Sequence, residues 1–142
     1  MPVTSADKAA WDLLYQGYAQ FYGVDKTQDM RDRVWVWIAN PVHDVNCFVT
    51  EQDGTLIGLT HFRPFFSPLS ANVKGFLDDL FVDPATRGSG AAQALIDAVS
   101  AHGREKGWAV IRWITADDNY RARGVYDRVA TRTGWITYDI AL

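Results

Sequence analysis

One cysteine, Cys47, is all that this 142-residue chain contains. That rules out an intramolecular disulfide and any cysteine-based metal cluster. Cys47 sits in the β-forming run NCFVT, where a buried structural thiol is expected rather than a nucleophile. Long apolar runs are missing as well. The most hydrophobic stretch, 108–114, is interrupted by Arg112 and is too short to cross a bilayer. Met1-Pro2-Val3-Thr4 has neither the basic nor the apolar region of a secretory signal, so a cytoplasmic protein is expected. A basic excess is absent too: the net charge of -3 argues against a nucleic-acid surface and suits a cationic acceptor better. No repeat, low-complexity tract or linker divides the chain, and residues 1–142 read as a single domain. With 48% hydrophobic residues it has enough apolar side chains to fill a core without staples.

What is present falls into alternating helical and extended patterns. Trp11, Leu14, Tyr15 and Tyr18 stand at i, i+3, i+4, i+7 and predict a helix over about residues 6–22, capped by Gly23. A second helix is expected after Thr27, with Met30, Val34, Trp37 and Ile38 on its inner face, ending at Asn40-Pro41. Asp53-Gly54 between β-rich runs signals a hairpin of strands 46–52 and 55–64. Gly58 inside it suggests a bulge or a close backbone approach, and His61 a core or surface imidazole rather than a base. A loop is expected over 65–72. Towards the end, 108–115 reads as a buried strand. A last helix, capped by Asn119 or Asp118, turns Ala122, Val125, Tyr126 and Val129 inward. The alternating run 135–142, WITYDIAL, reads as a terminal strand.

The stretch 76–94, FLDDLFVDPATRGSGAAQA, organises the rest. A mainly apolar strand stops at Asp83-Pro84, passes through a glycine-rich loop and enters a helix with Ala92, Leu95, Ile96 and Val99 on one face. A helix entered through glycines leaves its first N–H groups unpaired and its positive dipole end exposed, which suits a phosphate or pyrophosphate. An ordinary tight turn has the same glycines. Neither GxxxxGK(S/T) nor GxGxxG is present: the fourth and fifth residues after Gly88 are Ala92 and Gln93, and the second motif requires glycine at the fifth.

RGSGAA, with Arg87, Gly90 and Ala92 in place, resembles the Q/R-x-x-G-x-G/A acetyl-CoA signature of the GNAT (general N-acetyltransferase) superfamily. LDDLFVDP before it is similar to that family's fourth strand, and TADDNYRARGVYDRV to its later motif. The combination looks most like the branch that includes histone- and polyamine-acetylating enzymes. The resemblance is good over roughly residues 46–142 and rests on pattern alone in the two N-terminal helices. It implies a mixed α/β fold, a mostly antiparallel twisted sheet flanked by about four helices, with the usual first strand reduced to residues 2–5 or missing. It also implies acetyl-CoA as co-substrate, no metal, and a homodimer, for which WITYDIAL is a natural partner edge.

The resemblance further assigns roles. Leu80, Phe81 and Val82 would run along the pantetheine, with the Val82 or Leu80 N–H as oxyanion donor. Gly88, Ser89, Gly90, Ala91 and Ala92 would cradle the pyrophosphate, Arg87 would add charge, and Asn119 would touch the cofactor arm. Tyr126, seven residues beyond Asn119 on nearly the same helix face, would be the general acid for the CoA thiolate. Asp78 is chosen as base or amine-binding anion and Asp79 as a second acceptor contact, with a water chain as the alternative route for the proton. In a regular strand these two carboxylates point to opposite faces, so only one should see the acceptor, and a bulge here would change that assignment. Tyr18, Phe21 and Tyr22 are the expected acceptor wall. The acceptor is expected to be a small amine or polyamine. The rivals are a protein or peptide amine, and a CoA-binding module without turnover.

Overall fold

A computed structural model describes residues 1–86 and 88–142. Its sheet is built on two long antiparallel strands, β2 (Thr55–Ser67) and β3 (Asn72–Val82), with β1 (Asn46–Gln52) outside β2. A two-residue strand, β4 (Ile111–Arg112), lies parallel to β3 and completes the order β1-β2-β3-β4. Helices α1 (Lys8–Phe21) and α2 (Gln28–Ala39) cover one face, while α3 (Ala91–Lys106) packs on the other beside α4 (Tyr120–Val129). Single 3-10 turns precede α1 at Ser5–Asp7 and follow β3 at Pro84–Thr86. This is the mixed α/β arrangement that the sequence pattern implies.

Local chemistry explains most boundaries. Asp53 and Gly54 both adopt positive φ, which gives the β1–β2 turn the twist of its strands. Thr27 caps α2 by accepting from the Met30 N–H. Gly58 lies where β1 and β2 slip register, and a Cβ there would stand 2.9 Å from Thr50 and 3.1 Å from Leu95 of α3. In place of the first strand, Pro2 bridges Phe48, and Val3 donates to the Cys47 carbonyl.

Two hydrophobic clusters sit on opposite faces of the sheet. Trp11, Leu14, Tyr15 and Val34 pack on Val49, Leu59 and Phe81 beneath α1 and α2. Phe62, Leu77 and Val99 pack beneath α3, with Trp108, Ile111 and Trp113 at their margin. Cys47 is buried in the first cluster, and burial pushes its thiol up.

Several expected elements come out differently. The inner face of α2 is Arg31, Val34, Trp35 and Ile38, whereas Met30 and Trp37 are exposed. The buried guanidinium decides this: Arg31 bonds Asp12, the Lys26 carbonyl and Gln28, which turns the helix towards α1. The loop after β2 shrinks to 68–71, because β2 and β3 stay paired out to Ser67 and Asn72. The strand expected over 108–115 is reduced to Ile111–Arg112, which among the described residues pairs with β3 alone. The terminal strand expected over 135–142 does not form; those residues are extended, exposed and without a sheet partner among the described residues. A β-sequence becomes a strand only when its backbone groups meet another strand.

Candidate active site

Strand β3 does not keep its alternation. Phe62 faces Leu77 and His61 faces Asp79, so Asp78 is an extra residue without a partner, a β-bulge. Before the bulge, Leu77 points to the α3 side with Phe62 and Val99. After it, Asp79 points to the α1 side, where it meets Tyr15 and His61. Asp78 pairs with Arg63, two residues from His61 and therefore on that same side. The bulge thus places both carboxylates on one face, which corrects the expectation of opposite faces.

The two carboxylates have unlike surroundings. Asp79 Oδ2 accepts from the Tyr15 hydroxyl at 3.1 Å and lies 2.8 Å from His61 Nδ1. Behind them the Trp11 indole N–H donates to His61 Nε2 at 3.0 Å. The indole can donate there only if Nε2 carries no proton, so the imidazole proton sits on Nδ1 and is aimed at Asp79. Burial alone would raise the Asp79 carboxyl, but the donors around it, His61 foremost, outweigh burial and hold it below the usual range. Asp78 is shifted the other way, raised by burial against the opposing pull of Arg63. Burial and the nearby Asp79 charge push the Tyr15 and Tyr18 hydroxyls well above the usual phenol range.

Beyond Asp79 the strand runs into a cleft of about 390 Å³. One wall is Leu80, Phe81 and Val82, and the floor is the loop and first turn of α3, Gly88 to Gln93. Gly88 and Gly90 have φ of +86° and +79°, a region glycine reaches without penalty, and a Cβ on either would project into open space. Gly90 occupies the N-cap position with no side chain capping the helix, and the first helical bond here is from Ala94 to its carbonyl. The N–H groups of Ala91, Ala92 and Gln93 are thus left at the cleft for a ligand. Arg87 lies outside the described residues.

The opposite wall is α4. Asn119 caps this helix through its side chain, accepting from the Ala122 N–H, and also lines the cleft. Tyr126 follows two turns on, its ring 5.4 Å from that of Trp113. Burial, with a smaller contribution from Tyr22, pushes the Tyr126 hydroxyl up to about 12, so it keeps its proton throughout the neutral range. Phe21 and Tyr22 close the end of the cleft, whereas Tyr18 stands behind them, 4.9 Å from Tyr22 and 5.6 Å from Phe81 by ring centroids.

The cleft therefore gathers Leu80, Phe81, Val82, Gly88 to Ala92, Asn119, Phe21, Tyr22 and Tyr126. Asp78, Asp79 and Tyr18 lie outside its lining, next to it along β3 and α1. Sequence reasoning missed Arg121 and Arg128, two cations on the α4 wall. Their seven-residue spacing, with Val125 between, was the available signal. It also missed the Trp11–His61–Asp79–Tyr15 chain, which joins residues 50 and 64 positions apart.

The loop and first turn of α3 fit the phosphate-bearing arm of coenzyme A. They combine glycines with open space above them, free N–H groups and two arginines across the cleft.

The model of the acetyltransferase (GNAT) family matches residues 11–130, and the chain belongs to that family. It is accordingly an N-acetyltransferase that uses acetyl-CoA. The chain is 28% identical over 137 residues to the uncharacterized N-acetyltransferase YhfO of Bacillus subtilis, covering 94% of this chain and 91% of that protein. It is 25% identical over 135 residues to the D-amino-acid N-acetyltransferase HPA3 of Saccharomyces cerevisiae, covering 93% and 83%. Among solved structures, the aminoglycoside N-acetyltransferase AAC(6')-Iy in complex with CoA superposes with a TM-score of 0.84 at 20% identity, over 98% of this chain and 91% of that one.

Proposed function

We propose that this acetyltransferase moves the acetyl group directly to a primary amine of a small molecule, a polyamine or similar cation, with both substrates bound together. Acetyl-CoA supplies an activated thioester; the protein orients it, accepts a proton from the amine and protects the departing sulfur. The amine nitrogen forms the new C–N bond as the C–S bond breaks. The proton lost from nitrogen goes to Asp78, directly or through water, and the thiolate takes up a proton from Tyr126. The Val82 or Leu80 N–H is the donor to the carbonyl oxygen, and Asn119 holds the cofactor arm.

The observation that carries the reading is the facing of Tyr126 and Asn119 on α4 across one cleft from Leu80–Val82 and the N-terminus of α3. The acceptor class rests on the bulge that turns Asp78 and Asp79 to one side, giving a cationic amine two neighbouring carboxylates. A carboxyl raised by burial, as Asp78 is, is also a better proton acceptor than an ordinary one. Tyr18, Phe21 and Tyr22 would supply the aromatic side of the acceptor pocket. The names of the yeast relative and of AAC(6')-Iy, a D-amino-acid and an aminoglycoside acetyltransferase, favour small amines.

Free-thiol release from acetyl-CoA, measured against polyamines, amino acids of both hands, aminoglycosides and lysine peptides, tests the proposal. Turnover is expected with a small-amine class. Tyr126→Phe should lower kcat by about 10²-fold, the lower end for a general acid, while leaving the KM for acetyl-CoA nearly unchanged. Turnover confined to peptides would replace the acceptor class. An unchanged kcat in Tyr126→Phe would remove its role as acid.

A further inference from the structure

The open end of the sheet's α1 face carries charges that the cofactor cleft does not use. Arg63, Phe76 and Arg112 stand side by side across β2, β3 and β4, because Arg63 pairs with Phe76 and Phe76 with Arg112. Residues in such a cross-strand row share one face, and the contacts agree. The Arg63 guanidinium lies 5.1 Å from the Phe76 ring centre. That of Arg112 lies 5.8 Å from the ring of Phe65, which is itself 6.2 Å from Phe76. Lys74 sits opposite Phe65 in the next row. Three cations thus share this face of a chain whose net charge is -3.

Among the described residues the one ion pair here is Arg63–Asp78, made through Nε, so the terminal nitrogens of Arg63 are left over. Asp79 is turned instead to Tyr15 and His61. Arg112 is half-buried and, among the described residues, has a ring beneath it but no carboxylate. A cation partly withdrawn from water without a counter-ion is unfavourable. An arginine held over an aromatic ring also keeps its fork of N–H donors unused, the geometry that takes a carboxylate by two parallel bonds.

The position of this row matters as much as its charge. β3 and β4 pair only at Gly75–Ile111 and Phe76–Arg112, so Arg112 marks the row where the two strands part. Past it along β3 come Asp78, Asp79 and then the Leu80–Val82 wall of the cleft. Strand spacing puts the Arg112 backbone within roughly 8 Å of that of Asp78, a gap that one small molecule bridges. We propose that the acceptor is an amino acid, its carboxylate held by Arg112 and the terminal nitrogens of Arg63 while its ammonium meets Asp78. This rests on the reading above, which brings the amine to Asp78, and names what lies at the acceptor's other end. A basic amino acid, with two ammonium groups and one carboxylate, is still the small cation of that reading. A polyamine of the same length leaves Arg112 without an anion.

Two pairs of acceptors that differ by the carboxylate alone, lysine with cadaverine and ornithine with putrescine, test it through thiol release from acetyl-CoA. The amino acid of each pair should have the higher kcat/KM, by about 10–100-fold, as expected of charge-assisted hydrogen bonds to one carboxylate. Arg112→Gln should bring that ratio close to one, mainly by raising the KM of the amino acid. Arg112→Lys, which keeps the charge but not the fork, should restore part of it. A wild type that treats both members alike, or prefers the diamines, overturns the proposal and leaves the reading above standing. A preference that survives Arg112→Gln overturns it too. So does an equal loss from both members, which would place Arg112 in the fold alone. Turnover confined to lysine peptides would remove the small-amine reading itself, and this inference with it.

Discussion

The Trp11 indole nitrogen lies 3.0 Å from His61 Nε2, and this contact sets which way the imidazole proton faces. It joins α1 to β2 and directs the other ring nitrogen at Asp79, 2.8 Å away. Helix position, histidine tautomer and carboxylate charge are thus coupled through one buried chain. Replacing His61 by leucine keeps similar volume but strands the indole N–H and removes a donor from Asp79. We expect a loss of about 2–4 kcal/mol, from leaving buried polar groups unpaired. Urea unfolding of His61→Leu beside wild type measures it, and a loss below experimental error would refute the coupling.

Asp79 also makes a prediction about acid. Its carboxyl is held below the usual range in the folded protein, so folding favours the ionised form. The resulting stability is present above the ordinary carboxylate value of about 4 and is lost as the pH falls through the lower, folded value. Asp79→Asn should therefore cost stability at pH 7 and progressively less below pH 4. Denaturant midpoints of the two proteins between pH 2 and 7 should converge at the acid end; parallel curves would exclude this origin.

Gly90 caps α3 at φ +79° with open space above it. Valine there accepts an unfavourable backbone region at a cost of about 1–2 kcal/mol and projects its branches over the helix N-terminus. Coenzyme A affinity should fall by at least 10²-fold while the far-ultraviolet circular dichroism remains that of the wild type. Calorimetric titration with coenzyme A decides it, and retained micromolar affinity would mean that the phosphates bind elsewhere.

Gly75 gives a purely structural counterpart. A Cβ at this position would lie 2.5 Å from Trp108 and 2.8 Å from Ile111, both on the β4 side. Gly75→Ala should cost about 1–3 kcal/mol by overpacking and should loosen β4 first. Hydrogen exchange at Ile111 and Arg112 rising well beyond that at β1 is the expected signature.

Features governed by neighbours in the chain were legible from the residues. The Asp53-Gly54 turn, the Thr27 cap, the glycines before α3 and the seven-residue step from Asn119 to Tyr126 each depend on a few adjacent backbone angles or on helical period. The family signature lies in the same local stretch, and so most of the residues that line the cleft beside α3 and α4 are named by the sequence before any tertiary contact is known. The inner face of α2 differs from its apolar periodicity for the opposite reason. Burial of Arg31 depends on Asp12, nineteen residues earlier, which no periodicity reveals.

Residue order by itself determined the helices, the hairpin and the glycine-rich turn before α3, because their energetics are short-ranged. Tertiary structure alone decided which way Asp78 and Asp79 face, since a bulge exists only in the register between two strands. It likewise decided that 135–142, although patterned as a strand, has no sheet partner among the described residues. Side-chain alternation is written in the residues, but a strand's hydrogen bonds belong to whatever backbone lies beside it.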